Sequence, residues 1–182
     1  MLFLKRSTLY FLLCGTLIMT VIMVKTGAPL KTADTPAGII NLEFAHNAAK
    51  VNAVVAAWKK ASTATVDVVA AAKFNTALDF IYLLFYSFFL FASCKQLAVL
   101  LTRQKVLAQW LKRFAVAALL TGFFDIIENF GMLHALAGKS TDALAMITTA
   151  VSLLKWLLVI LVMLLIIAGL LVKTTMNRKL VA

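Results

Sequence analysis

Acidic residues are scarce in this chain: seven Asp and Glu stand against eighteen Lys and Arg. Cysteine, histidine and proline are scarcer still, at two each. Neither the histidines nor the cysteines fall at the HxxxH or CxxC spacings that bring two ligands to one zinc ion. Cys14 and Cys94 fall in the same, cytoplasmic half of the expected topology, which excludes a structural disulfide; both read as small apolar helix residues. No Ser/His/Asp or Cys/His arrangement and no glycine-rich phosphate loop is present, so hydrolase and ATPase classes lack support, and no cofactor is expected. The alternation of apolar and polar residues that marks lipid-facing strands is missing too, which excludes a membrane β-barrel.

What the chain has instead is apolar length. Apolar residues make up 63% of it and its mean hydropathy is +0.99, outside the range of soluble domains. Four runs are long enough to cross a hydrocarbon core of about 30 Å as helices, at about 7–24, 75–94, 114–137 and 144–172. The expected fold is therefore all-α: a polytopic membrane protein, a four-transmembrane-helix bundle in one membrane domain. Ser7–Val24 resembles a signal peptide but exceeds the usual apolar core of ~7–15 residues, so it reads as an uncleaved first helix. Residues 25–72 form the one sizeable loop, beginning with Gly27, Pro29, Pro36 and Gly38 as turn formers. Within it, 46–60 has Ala48, Val51, Val54, Val55 and Trp58 at helical spacing and reads as an amphipathic helix. So short a segment holds little core of its own. It is expected to lie on the helix ends as a small helical extracytoplasmic cap, with Trp58 near the membrane interface.

Charge sets the orientation. Ten of the cations, including Lys5, Arg6, Lys95, Arg103, Lys105, Lys112, Arg113 and Lys173, fall on one side with no acid among them. Seven fall on the other side, offset by Asp34, Glu43, Asp67 and Asp142. Cations collect in short cytoplasmic loops, which puts both termini in the cytoplasm. A basic membrane-facing surface suits anionic lipid and accounts for the net charge of +11 without nucleic acid.

Polar residues inside the runs mark the candidate site. Asp125, Glu128 and Asn129 are spaced i, i+3, i+4 and share one face of the third helix. Asn75, Asp79, Tyr82 and Tyr86 share a face of the second, and Lys155 lies in the fourth beside Thr148 and Ser152. Counting at 1.5 Å per residue from the cytoplasmic ends puts Asp79, Asp125, Glu128 and Lys155 in one layer, roughly 17–26 Å up. A central acid or lysine costs ~2.5–3.5 kcal/mol on an insertion scale, so four ionisable groups at one depth are expected to converge inside the bundle. Three acids and one lysine cannot all stay ionised cheaply there. Lys155 is expected to pair with one acid, and Asp125 and Glu128 to share a proton unless the pocket is wet or holds a cation. Glu43, His46 and His134 are weaker candidates for a metal site on the outer side; the histidines are equally read as water-facing.

Leu42-Glu-Phe-Ala45, Trp58, Leu78-Asp-Phe-Ile-Tyr82 and Asp125-Ile-Ile-Glu-Asn129 together resemble a group of uncharacterised bacterial four-helix inner-membrane proteins. The resemblance implies a bacterial inner-membrane location and a shared cluster of Asp79, Asp125, Glu128 and Asn129; it implies no activity. Three uses of the cluster follow from the residues. It locks helices together, it lines a pocket for a small ligand or lipid, or it handles protons in a small transporter or intramembrane enzyme through Asp125 and Glu128. The leading expectation is a non-enzymatic protein that binds a ligand or lipid or organises a complex, with a membrane-protein partner or a second copy of itself.

Overall fold

The computed structural model describes residues 5–179, with side chains through 176. The expected basic residues Arg178 and Lys179 therefore have side chains outside the described residues, and Met1–Leu4 and 180–182 lie outside altogether. The chain is 84% helix, with no strand among the described residues. Six helices follow in order: α1 (Arg6–Gly27), α2 (Ile39–Glu43), α3 (Ala48–Ala61), α4 (Val68–Leu100), α5 (Lys105–Leu136) and α6 (Asp142–Lys179). Of these, α1, α4, α5 and α6 are long and apolar enough to cross a membrane, which makes this an integral membrane protein.

Three of the long helices overrun their apolar windows at both ends and α5 at its start, and local chemistry sets where they stop. Helix α4 begins at Val68, ahead of the apolar run that starts near 75, where the Asp67 side chain caps it by accepting from the Ala70 amide at 3.0 Å. The basic stretch between the second and third runs, Lys95–Arg113, is helical apart from the turn Leu101–Gln104. Leu97, Ala98 and Leu101 at the end of α4 pack with Leu111, Ala115 and Ala118 of α5 and with Val162 and Ile166 of α6, so both helices continue to a turn at Leu101–Gln104. At the opposite end Gly138 turns α5 into α6 with φ 75°, a left-handed conformation that favours glycine after a helix.

Helix α5 lies against both α4 and α6, and its face of Ala115, Ala118, Thr121, Gly122, Asp125, Glu128, Asn129 and Met132 is buried. Two glycines allow the close approach. A methyl at Gly122 would meet Ser87 Oγ at 2.9 Å, and one at Gly131 would overlap the Thr148 side chain. Helix α1 is different. It packs on α4, and its apolar window is 6% buried.

The segment between α1 and α4 is more ordered than its turn-rich sequence suggests. A 3₁₀ turn, Ala28–Leu30, follows α1, and α2 is an extra short helix ahead of α3, which itself starts at Ala48 behind an Asn47 cap. Trp58 is not an interface anchor. It is fully buried, and its indole N–H donates to the Leu30 carbonyl at 2.9 Å and to Thr35 Oγ1 at 3.0 Å. Around it Leu30, Leu42, Val51 and Val55 share one apolar cluster with Val68 and Ala72 of α4, Met132, Ala135 and Leu136 of α5, and Ala145 of α6. A segment too small for its own core thus borrows the helix ends to complete one. Asp142 Oδ1, accepting from the Ala48 amide at 2.8 Å, ties it to the start of α6.

Candidate functional site

Three helices bring the ionisable residues together. Lys155 of α6 donates to Asp125 Oδ1 at 2.8 Å and to Glu128 Oε1 at 2.8 Å, and Glu128 Oε2 also lies 2.8 Å from Nζ. The spacing of Asp125 and Glu128 on one face of α5 lets a single ammonium reach both. Tyr86 of α4 donates to the other Asp125 oxygen at 2.7 Å. One turn further along, Asn129 Nδ2 donates to Asp79 Oδ2 at 2.8 Å, which joins α5 to α4 again. Tyr82 bonds the Thr20 hydroxyl of α1 at 3.1 Å. All seven residues singled out in the sequence thus belong to one neighbourhood spanning all four long helices.

Within it the groups divide by exposure. Glu128 and Asn129 are 0% exposed, Asp125 3% and Lys155 7%. Asp79, Tyr82 and Tyr86 are half-buried. The division follows a cavity of about 570 Å³. Its floor is Asn75, Asp79, Tyr82 and Tyr86 of α4 with Asp125 and Asn129 of α5; Glu128 lies behind that floor. Thr16, Thr20, Met23 and Val24 of α1 form one wall, and Lys155, Trp156, Val159 and Met163 of α6 the other. Gly38, Ile39, Ile40 and Glu43 close the end nearest α2, with Lys31 at the rim. Helix α1 packs on α4 and makes no extensive contact with α6, so the two walls come from helices that are not packed on one another, and α2 meets α6 at one end through the Glu43–Trp156 bond.

Lys155 is thus paired with both Asp125 and Glu128 rather than with one acid. Asn129 Oδ1, fully buried, has no hydrogen-bond partner among the described residues. A buried polar atom without a partner typically costs about 1–3 kcal/mol, so an unpaired acceptor on a residue that lines the cavity is a place for a donor.

No family model, curated protein or solved structure matches the chain. The functional reading therefore rests on the geometry of the cavity and its floor.

Two expectations change around Glu43. It does not offset lysines on an aqueous surface: it is buried at the α2 end of the cavity, where its Oε2 accepts from the Trp156 indole at 3.1 Å. Nor does it meet the histidines. His46 and His134 are exposed, His134 Nδ1 bonds its own helix at Phe130 O, and the described residues contain no group of three metal-ligating side chains. Glu43 is the member of the site that the sequence reading missed as such. Its signal was there: an acid set among Ile39, Ile40, Leu42 and Phe44 is placed where an apolar patch would otherwise be complete. Asn75, on the expected polar face of α4, donates to the Met23 carbonyl at 3.1 Å and to Thr26 Oγ1 at 2.7 Å, which pins the end of α1 to α4.

Proposed function

We propose that this protein holds a single-chain amphiphile, or one chain of a membrane lipid, in the cavity between α1 and α6, with the polar head against the floor. One observation carries the reading: a single cavity has walls from two helices apolar enough to stand in lipid, which share no extensive contact, and a floor that is a hydrogen-bonded polar cluster. An amphiphile sliding in sideways from the bilayer keeps its chain among apolar side chains and gives its head the hydrogen bonds that lipid tails withhold. Lys155, Asp125 and Glu128 form the rigid back of the site, and Asp79, with Asn129 bonded to it, and Tyr82 face the head.

The cation distribution favours both termini in the cytoplasm and the α2–α3 end outside it, with the basic end at the turn Leu101–Gln104 against anionic lipid. The motif resemblance favours a bacterial inner membrane.

A second reading has one observation in its favour. Asp79 and Asp125 reach the cavity, so a proton acceptor there would be accessible to a transported solute or a bound substrate. Asp79→Asn separates the two. In a ligand-holding protein it changes which amphiphile is retained; in a proton-coupled one it abolishes uptake driven by a pH gradient while retention is unchanged.

The test of the main reading is native mass spectrometry of protein extracted from membranes in a mild detergent. Wild type is expected to carry a bound amphiphile. Val159→Trp, which fills the cavity from the α6 wall, should lose it while helix content and melting temperature hold. Equal lipid content in the two proteins would contradict the reading.

A further inference from the structure

The cavity is short of positive charge, and that shortage identifies the head group. Glu43, Asp79 and Asp125 line it and Glu128 stands directly behind, whereas Lys155 is the one buried cation among the described residues. Lys31 stands at the rim, exposed. Lys155 offers little to an anionic head, because its ammonium is already held between Asp125 and Glu128. The same pairing removes its repulsion toward a second cation. What remains open on the floor accepts hydrogen bonds: the Asp79 carboxylate, which has one oxygen bonded to Asn129, and the fully buried Asn129 Oδ1, which has no partner among the described residues.

We infer that the occupant of this cavity is an amphiphile with a primary ammonium head, whose N–H groups bond Asp79 and Asn129 and whose chain lies between α1 and α6. The inference rests on the lateral-cavity reading above and narrows it to one chemistry. A primary ammonium brings a positive charge and three donors to a site with a surplus of carboxylates and an unfilled acceptor. A trimethylammonium brings the charge without donors and leaves Asn129 Oδ1 unpaired. A fatty acid adds a further carboxylate. A soluble amine without a chain leaves the apolar walls of Met23, Val24, Val159 and Met163 unfilled. Lipids with an ethanolamine head and free long-chain amines share the chemistry.

Trp156 gives the assay, because it lines the cavity. Of the other tryptophans, Trp58 is sealed in the apolar cluster and Trp110 stands near the turn at the far end of α5. In a Trp110→Phe background, protein in phosphatidylcholine vesicles is titrated at low mole fraction with amphiphiles of one brominated chain and different heads. These are a primary amine, a trimethylammonium, an alcohol, a carboxylate and a phosphatidylethanolamine. The amine is expected to quench Trp156 at a concentration roughly ten-fold below the alcohol, the difference that one charge-assisted hydrogen bond makes. Asp79→Asn should remove that preference while leaving quenching by the alcohol in place, which shows the cavity intact. Quenching by the phosphatidylethanolamine at the concentration that suffices for the single-chain amine assigns the occupant to membrane lipid; a preference for the amine alone assigns it to a free long-chain amine, and both support the inference. Equal quenching by all heads, or an amine preference that survives Asp79→Asn, overturns the head-group inference and leaves the cavity reading standing. Displacement of the amphiphile by butylamine as effective as by its long-chain counterpart overturns the inference in favour of a soluble amine. If no head quenches Trp156 beyond the level seen with brominated vesicle lipid alone, the cavity reading fails and this inference with it.

Discussion

Lys155 is the residue on which the polar cluster turns, because one ammonium offsets two carboxylates that lipid cannot solvate. Lys155→Met removes the offset; breaking a buried pair from one side costs about 3–5 kcal/mol, less to the extent that the stranded acids take up protons. Glu128→Gln leaves Lys155 with Asp125. The double variant Lys155→Met/Glu128→Gln should be less destabilised than the sum of the singles, by a coupling of ~0.5–3 kcal/mol. Melting temperature in detergent measures it, and strict additivity would mean the two residues do not interact. The contact was legible in the sequence because helix geometry is rigid: spacing fixed the shared face and the rise per residue fixed the depth. Glu43 was not legible in that way. Its position depends on how the segment after α1 folds back, which neither spacing nor rise determines. Glu43→Ala tests its placement. It breaks the bond to Trp156 Nε1 and leaves that indole at the cavity wall without its acceptor, so it should lower stability by about 1–3 kcal/mol. A solvent-facing acid would change stability far less.

Among the elements, the long helices were readable as apolar runs, but their limits were not. Asp67 and the Leu97–Leu101 stretch extend α4 past its apolar window at both ends, by a cap at one and by shared packing with α5 and α6 at the other. Turn formers after α1 correctly marked irregular backbone, yet they gave no sign that Trp58 would order it through Leu30 and Thr35. The indole has to be buried for that, and burial is a property of the assembled helices rather than of the segment. The glycines of α5 supply the element-scale prediction. Gly122→Val and Gly131→Val put side chains into Ser87 and Thr148, and overpacking of this kind typically costs about 1–3 kcal/mol. Gly138→Ala should also destabilise, but for its positive φ and not for space, since nothing lies within 4 Å. Thermal melts of the three variants check this. A Gly131→Val protein as stable as wild type would mean that α5 and α6 are not as close as described.

The molecule as a whole is a three-helix polar core, α4–α5–α6, with α1 laid along α4 and a side cavity where a closer α1 would have filled the space. Its orientation is checked with single cysteines at two exposed turns, Thr65 between α3 and α4 and Gln104 between α4 and α5, in a Cys14→Ser/Cys94→Ala background. A membrane-impermeant maleimide added to intact cells is expected to label the first and spare the second. The occupied side cavity is the central claim, and nuclear Overhauser contacts in lipid nanodiscs with methyl-labelled protein test it most directly. The account predicts contacts from the chain protons of a bound amphiphile to the methyl groups of Met23, Val159 and Met163 together. Contacts confined to outward methyls such as Leu154, Leu157 and Leu161, with none at Met23 or Val159, would contradict it.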